Sequence, residues 1–260
     1  MKFNRIFAIL LRHLYQFKYN LDRQSDVFYW PVVDLILWGI AGSYFQASGS
    51  ETPLVIMVVS GIVFWIAVLR GQNDISISVL AEMWDRNLIH LFASPLKFRE
   101  WALALMILGV IKAAVSFLFG VLVAFLLYRV GIFMYGFAIL PFLAMLLMSG
   151  WWIGFFVGGL TLRFGTRIQT LAWTLVFIIS PFIGIFYPVS ALPSWGQTIA
   201  HLLPPSYIFE GMREIIISGS FDYSNLVISL VLNIIYIVPA YAFFRWNFTH
   251  LLSRGLAKAH

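Results

Sequence analysis

The sequence predicts an all-α polytopic membrane protein. Its expected parts are six transmembrane helices, an N-terminal interfacial amphipathic helix, a cytoplasmic helix between the second and third spans, and a re-entrant helix pair before the last span. Three observations predict this. Of the 260 residues, 61% are hydrophobic and 11% charged, against about 45–50% and roughly 25% in a typical soluble domain. Six stretches are long and apolar enough to cross a bilayer. The cations, finally, are distributed very unevenly between the loops that those stretches define. Composition alone excludes a soluble enzyme, a disordered chain and a disulfide scaffold. The absence of cysteine removes thiol catalysis and thiolate metal sites with it.

Residues 1–24 carry Lys2, Arg5, Arg12, Lys18 and Arg23 among Phe3, Ile6, Phe7, Leu10, Leu11, Leu14 and Phe17. The apolar residues recur at the helical period and no small-residue cleavage site follows, so the segment reads as a helix in the membrane interface rather than a signal peptide. A span needs about 20 apolar residues to cross roughly 30 Å of hydrocarbon. The candidates run over 27–46, 53–70, 101–128, 134–161, 169–189 and 225–246. With the N-terminus inside, the inner segments hold Lys2, Arg5, Arg12, Lys18, Arg23, Arg70, Arg86, Lys97, Arg99, Arg163, Arg167, Arg245, Arg254 and Lys258. That is 14 of 17 cations; Arg129 and Arg213 fall outside and Lys112 lies within a span. The partition predicts a multi-pass protein of the cell (inner) membrane with both termini cytoplasmic. Residues 1–260 form one domain, with no low-complexity tract or flexible linker.

Two connections are long. The inner one, about 71–100, contains Leu80, Trp84, Leu88, Leu91 and Phe92 on one helical face, with Glu82, Asp85, Arg86 and His90 at its margin and Pro95 ending the helix. Such a helix can be a surface element or a knob offered to a soluble partner. In the outer connection, about 190–224, Ser194 after Pro193 reads as an N-cap for a helix to about 203, and a second short helix runs from about Ser206 to Ile217. Both are too short to span and too apolar for water, which fits a re-entrant or interfacial pair.

Asp34 and Lys112 are the ionisable residues this reading puts well inside the spans, about 10 Å and about 16 Å along their helices at ~1.5 Å per residue. Each costs about 2.5–3.5 kcal/mol unless paired or wetted. An Asp34–Lys112 ion pair, or a Lys112 side chain that snorkels to the interface, is the structural expectation, and an ion relay the functional alternative. Gly150, Gly154 and Gly158 mark a close helix contact. His13, His90, His201, His250 and His260 lack metal-ligand spacing, and no catalytic constellation stands out.

The chain resembles the membrane subunits of ABC-2-type exporters over nearly its whole length. The residues that carry the resemblance are Arg86-Asn87-Leu88, Leu91, Ser94-Pro95-Leu96 and Glu100, then Pro188, Leu192-Pro193-Ser194-Trp195, Pro204, Tyr207, Glu210-Gly211 and Arg213. The resemblance implies that 80–96 is a coupling helix docking on an ATPase through Glu82, Asp85, Arg86, Asn87, His90, Leu91, Ser94 and Pro95. It implies an outer gate at 190–218, with Tyr187 and Pro188 just before it and Leu192, Pro193, Trp195, Pro204, Tyr207, Glu210 and Arg213 in it. The implied assembly has a second copy of the chain and two copies of a separate ATPase, among membrane lipids and without nucleic acid. No lysine sits in a nucleotide phosphate loop, so ATP and Mg²⁺ would belong to the partner. The cargo would be lipid-like, drug-like or a glycoconjugate, a lipid-linked polysaccharide included. The alternatives are an ATP-independent secondary transporter using Asp34 and Lys112, and a membrane assembly factor.

Overall fold

The computed structural model describes residues 1–48 and 53–253, so Arg254, Lys258, His260 and loop residues 49–52 lie outside the described residues. Among those described there is no strand. Helix α1 (Phe3–Tyr19) is followed after Asn20 by α2 (Leu21–Ala47), α3 (Leu54–Trp84), the short α4 (Leu88–Ala93) and α5 (Phe98–Tyr128). Then come α6 (Ile139–Phe164), α7 (Leu171–Ile179), α8 (Ser194–Leu202), α9 (Pro204–Ser218) and α10 (Tyr223–Ser253).

Five helical segments, containing α2, α3, α5, α6 and α10, are long and apolar enough to cross a membrane. The segment 169–189, expected as a full span, is instead a short apolar helix whose last turn tightens to 3₁₀ geometry and ends at Phe182. Pro181 lies within that turn and Gly184 (φ +73°) comes just after it, and both oppose continuation of an α-helix. The amphipathic N-terminal helix forms as expected, with Ile6, Ile9, Leu10 and His13 buried. It stops at Tyr19 rather than 24, because Asn20 is extended.

Helix α3 is the centre of the bundle. It packs on α2, α5, α6 and α7, and Val59, Val63, Phe64, Ala67, Val68, Ile75, Val79 and Leu80 are wholly buried. The polar stretch 71–79, expected to lie in the inner connection between two spans, instead continues α3 as a largely buried helix. The glycines of α6 allow the closest of its contacts. A Cβ on Gly150 would stand 2.5 Å from the Val68 carbonyl oxygen, and one on Gly154 2.9 Å from Ile75 Cβ. Gly158 faces the Phe244 ring of α10 instead. The glycine row thus seats α6 against two helices of its own chain.

Outward faces of α2, α5 and α10 remain apolar, with Trp30, Leu37, Ile40, Leu118, Leu126, Val231 and Ile235 all exposed. A soluble protein could not tolerate an apolar surface of this extent. In lipid it is the expected exterior.

Candidate functional site

The polar residues of α3 each hold a different neighbour. Arg70 donates to Asp26 of α2, at 2.8 Å to Oδ2 and 3.2 Å to the backbone carbonyl. Gln72 and Ser76 donate to the Ala172 carbonyl in the first turn of α7, at 2.7 and 3.2 Å. Asp74 accepts from Lys112 of α5. Glu82 pairs with Arg12 of α1 at 2.7 Å. Buried charges are costly unless paired, and here each pairing also fixes a helix.

The expected Asp34–Lys112 pair is therefore corrected. Lys112 bonds Asp74, and among the described residues Asp34 makes no ion pair. Lys112 Nζ also lies 6.0 Å from the Phe17 ring, level with the last turns of α1. Asp74 and Asp26 are not among the residues the sequence singles out, and Arg70 reads there only as an inner cation, because 71–100 reads as a polar connection between spans. Its one available signal was the continuing helical spacing.

The inner connection is likewise not one helix over 80–96. Leu80–Trp84 closes α3, Arg86 turns the chain with φ +53°, and α4 covers six residues. Trp84 consequently lies exposed, rather than on a shared apolar face. Asn87 donates to the Glu82 carboxylate at 2.7 Å, bridging the turn. Leu88 and Leu91 are buried, and Phe92 packs at a tilt against Phe248 of α10 at 4.4 Å and edge-on to Trp101 at 5.4 Å. Asp85, Arg86, His90, Ser94 and Pro95 face outward, with Ser94 Oγ donating to the Leu91 carbonyl. Glu82 is 2% exposed; it sits under the turn rather than on it.

A second acid closes the far end of this connection. Glu100, in the first turn of α5, accepts from the Lys97 amide at 3.0 Å and the Lys2 amide at 2.8 Å, with Arg5 at 3.5 Å. The exposed turn is thus bracketed by Glu82 and Glu100, and α1 spans both.

On the other side, α8 begins at Ser194 with Pro193 as its N-cap, and Ser194 makes no side-chain cap. Helix α9 starts at Pro204, two residues earlier than expected, with prolines in its first turn, where a missing N–H costs nothing. Arg213 donates to Glu210 and to the Gly184 carbonyl, both at 2.7 Å. Glu210 in turn accepts the Val189 amide at 2.7 Å. These two residues clamp the turn that follows α7.

Around them, Tyr187 donates to the Pro181 carbonyl at 2.6 Å, and the Leu192 carbonyl accepts from Gln197 at 2.8 Å. Trp195 meets Phe182 edge-on at 5.8 Å, Tyr207 donates to the His201 carbonyl, and the Pro204 carbonyl accepts from Ser229 of α10. Pro188 is exposed. Beneath the turn, a Cβ on Gly61 of α3 would stand 2.9 Å from the Ile185 carbonyl oxygen, so α3 backs directly on it.

A profile of the ABC-2 type transporter family matches residues 6–217. The chain belongs to that family. The match takes in α1 through nearly all of α9, and so both the turn bracketed by Glu82 and Glu100 and the one clamped by Glu210 and Arg213. No curated protein matches the chain. An ABC-2 family member of this build is the membrane part of a transporter, multi-pass and lipid-embedded.

Proposed function

We propose that this ABC-2 chain is the permease of an ATP-driven exporter, moving a lipid-like, drug-like or glycoconjugate substrate out of the cytoplasm or inner leaflet. Two copies work with two separate ATPase subunits in the cell membrane, with both termini cytoplasmic. ATP and Mg²⁺ are handled on the partner. The observation that carries this reading is the outward-facing turn at Asp85, Arg86, His90 and Ser94, hung from the end of α3 and braced by buried Glu82 and Glu100. A surface element without a task needs no such bracing; a knob that receives force does.

In this reading the partner ATPases push the 80–96 connection, α3 and α5 move with it, and the turn at 184–189 with helices α8 and α9 opens outward. Six crossings follow if α7 and the turn after it together complete the fifth. An ion relay through Asp34 and Lys112 finds no support, since Lys112 is engaged by Asp74.

The test is co-purification. A tagged chain extracted in mild detergent should bring down a nucleotide-binding subunit, and Arg86→Glu with His90→Glu should release it. Export that persists on an ion gradient alone, with no ATPase bound, overturns the proposal.

A further inference from the structure

Beside the Arg70–Asp26 and Lys112–Asp74 pairs lies a pocket of about 50 Å³, lined by Asp26, Asn73, Asp74, Ile77, Ser78 and Lys112. A single water needs about 10–15 Å³ of such space, so the pocket has room for a few hydroxyl-sized groups. Two of its acceptors are unspent. Asp74 Oδ2 and Asn73 Oδ1 accept no hydrogen bond from the described residues, although Asp74 is 4% and Asn73 9% exposed. Buried acceptors left this way cost free energy, and their surroundings state what would satisfy them. The two carboxylates are already balanced by Arg70 and Lys112, so the cluster is neutral overall. Its demand is for hydrogen-bond donors, not for an added cation.

Asp26 and Ile77 also line a larger neighbouring cleft of about 670 Å³, together with Tyr19, Trp84 and Trp173. Trp84 and Trp173 stack on each other at 5.9 Å, and both remain partly exposed. Aromatic faces next to a pocket of amide and carboxylate acceptors match a ring bearing hydroxyls: the rings take its C–H faces and the acceptors take its O–H groups. The cleft opens among the ends of α1, α3 and α7, level with the helix expected to lie in the head-group region.

We propose that this cleft binds the hydroxyl-rich head group of a lipid, with its hydroxyls donating to Asn73 Oδ1 and Asp74 Oδ2 and its ring resting on Trp173 and Trp84. The proposal deepens the permease reading and rests on it for the identity of the bound molecule as cargo; the binding itself needs no ATPase.

The permease, alone in phosphatidylcholine nanodiscs doped with monoglucosyl diacylglycerol or with the matching diacylglycerol, is released and weighed by native mass spectrometry. The glucosyl lipid is expected to be retained at least tenfold over diacylglycerol. Asn73→Leu, which spares both ion pairs, reduces that preference at least fivefold, as does Trp173→Ala on the partly exposed platform, whereas Trp173→Phe preserves it. Displacement by free methyl glucoside identifies the sugar as sufficient. Equal retention of phosphatidylglycerol, lost in Asn73→Leu, identifies an ordinary polyol lipid as the source; either result supports hydroxyl recognition. No preference in the wild type, or a preference unchanged in both folded variants, overturns the proposal. A failed ATPase co-purification with intact lipid preference would sink the export reading and leave this site standing.

Discussion

The guanidinium of Arg12 meets the Glu82 carboxylate at 2.7 Å, tying the N-terminal helix to the last turn of α3. Glu82 is buried and Arg12 partly exposed, so removing the arginine leaves a buried acid without its guanidinium partner. Arg12→Ala should cost about 1–3 kcal/mol, below the full cost of breaking a wholly buried pair because water reaches the arginine side. Glu82→Gln, which keeps an acceptor for Asn87, should cost less. Thermal unfolding in detergent measures both, and a larger loss in Glu82→Gln would contradict the assignment.

The pairing of Lys112 with Asp74 is open to a double-mutant cycle. Lys112→Met strands a buried carboxylate and should destabilise by about 3–5 kcal/mol. Adding Asp74→Asn should recover most of it, with a coupling energy above roughly 1 kcal/mol. Asp34→Asn should show no coupling to Lys112. Coupling to Asp34 in place of Asp74 would reverse the helix pairing described above.

Close contact between α3 and α6 predicts graded tolerance along the glycine row. Gly150→Ala drives a methyl group against backbone and should cost about 1–3 kcal/mol or more. Gly158→Ala meets the Phe244 ring at 3.1 Å, a side chain that can yield, and should be milder. Equal melting temperatures for the two would show that the helices do not touch as described.

At the outer turn, Arg213→Ala removes the donors to Gly184 and Glu210. Amide exchange at 183–189 should accelerate, with helices α3 and α6 unaffected. Gly184→Ala adds a left-handed strain of about 1–2 kcal/mol at φ +73°. Unchanged exchange in both variants would mean that the turn is held by other contacts.

Topology gives a fifth prediction. A reporter active only outside the cytoplasm should be silent when fused after residue 253 and active when inserted at 220. Five full crossings alone would put those two positions on opposite sides the other way round, so the experiment decides whether short α7 and its following turn complete a crossing.

The sequence made the lipid-embedded class, the amphipathic start and the two long connections legible, because hydropathy and helical period are local properties. It lost α3 beyond residue 70. Arg70, Gln72, Asn73 and Asp74 lower the hydropathy there as a loop would, and only tertiary partners on α2, α5 and α7 explain why a helix keeps them buried. With Asp74 placed in a connection outside the spans, Lys112 had no visible partner except Asp34. The fifth span was overestimated for the converse reason: 169–189 is apolar enough to cross, but Pro181 and Gly184 end its helix early. At the outer turn, Glu210 and Arg213 were recognisable as residues of interest, whereas their grip on Val189 and Gly184 depended on a fold-back that no spacing rule reports.

Helix α3 contains no proline and runs unbroken from beneath Ile185, at Gly61, to Trp84 at the inner turn, about 35 Å at ~1.5 Å per residue. Such a piece behaves as a pushrod. It can slide, tilt or roll as one body, but it has no joint at which a displacement delivered to one end could be absorbed before reaching the other. In the proposed export reading the two faces of the membrane are then served by a single mechanical part, and any movement of the inner turn along that axis arrives at the outer turn in the same stroke.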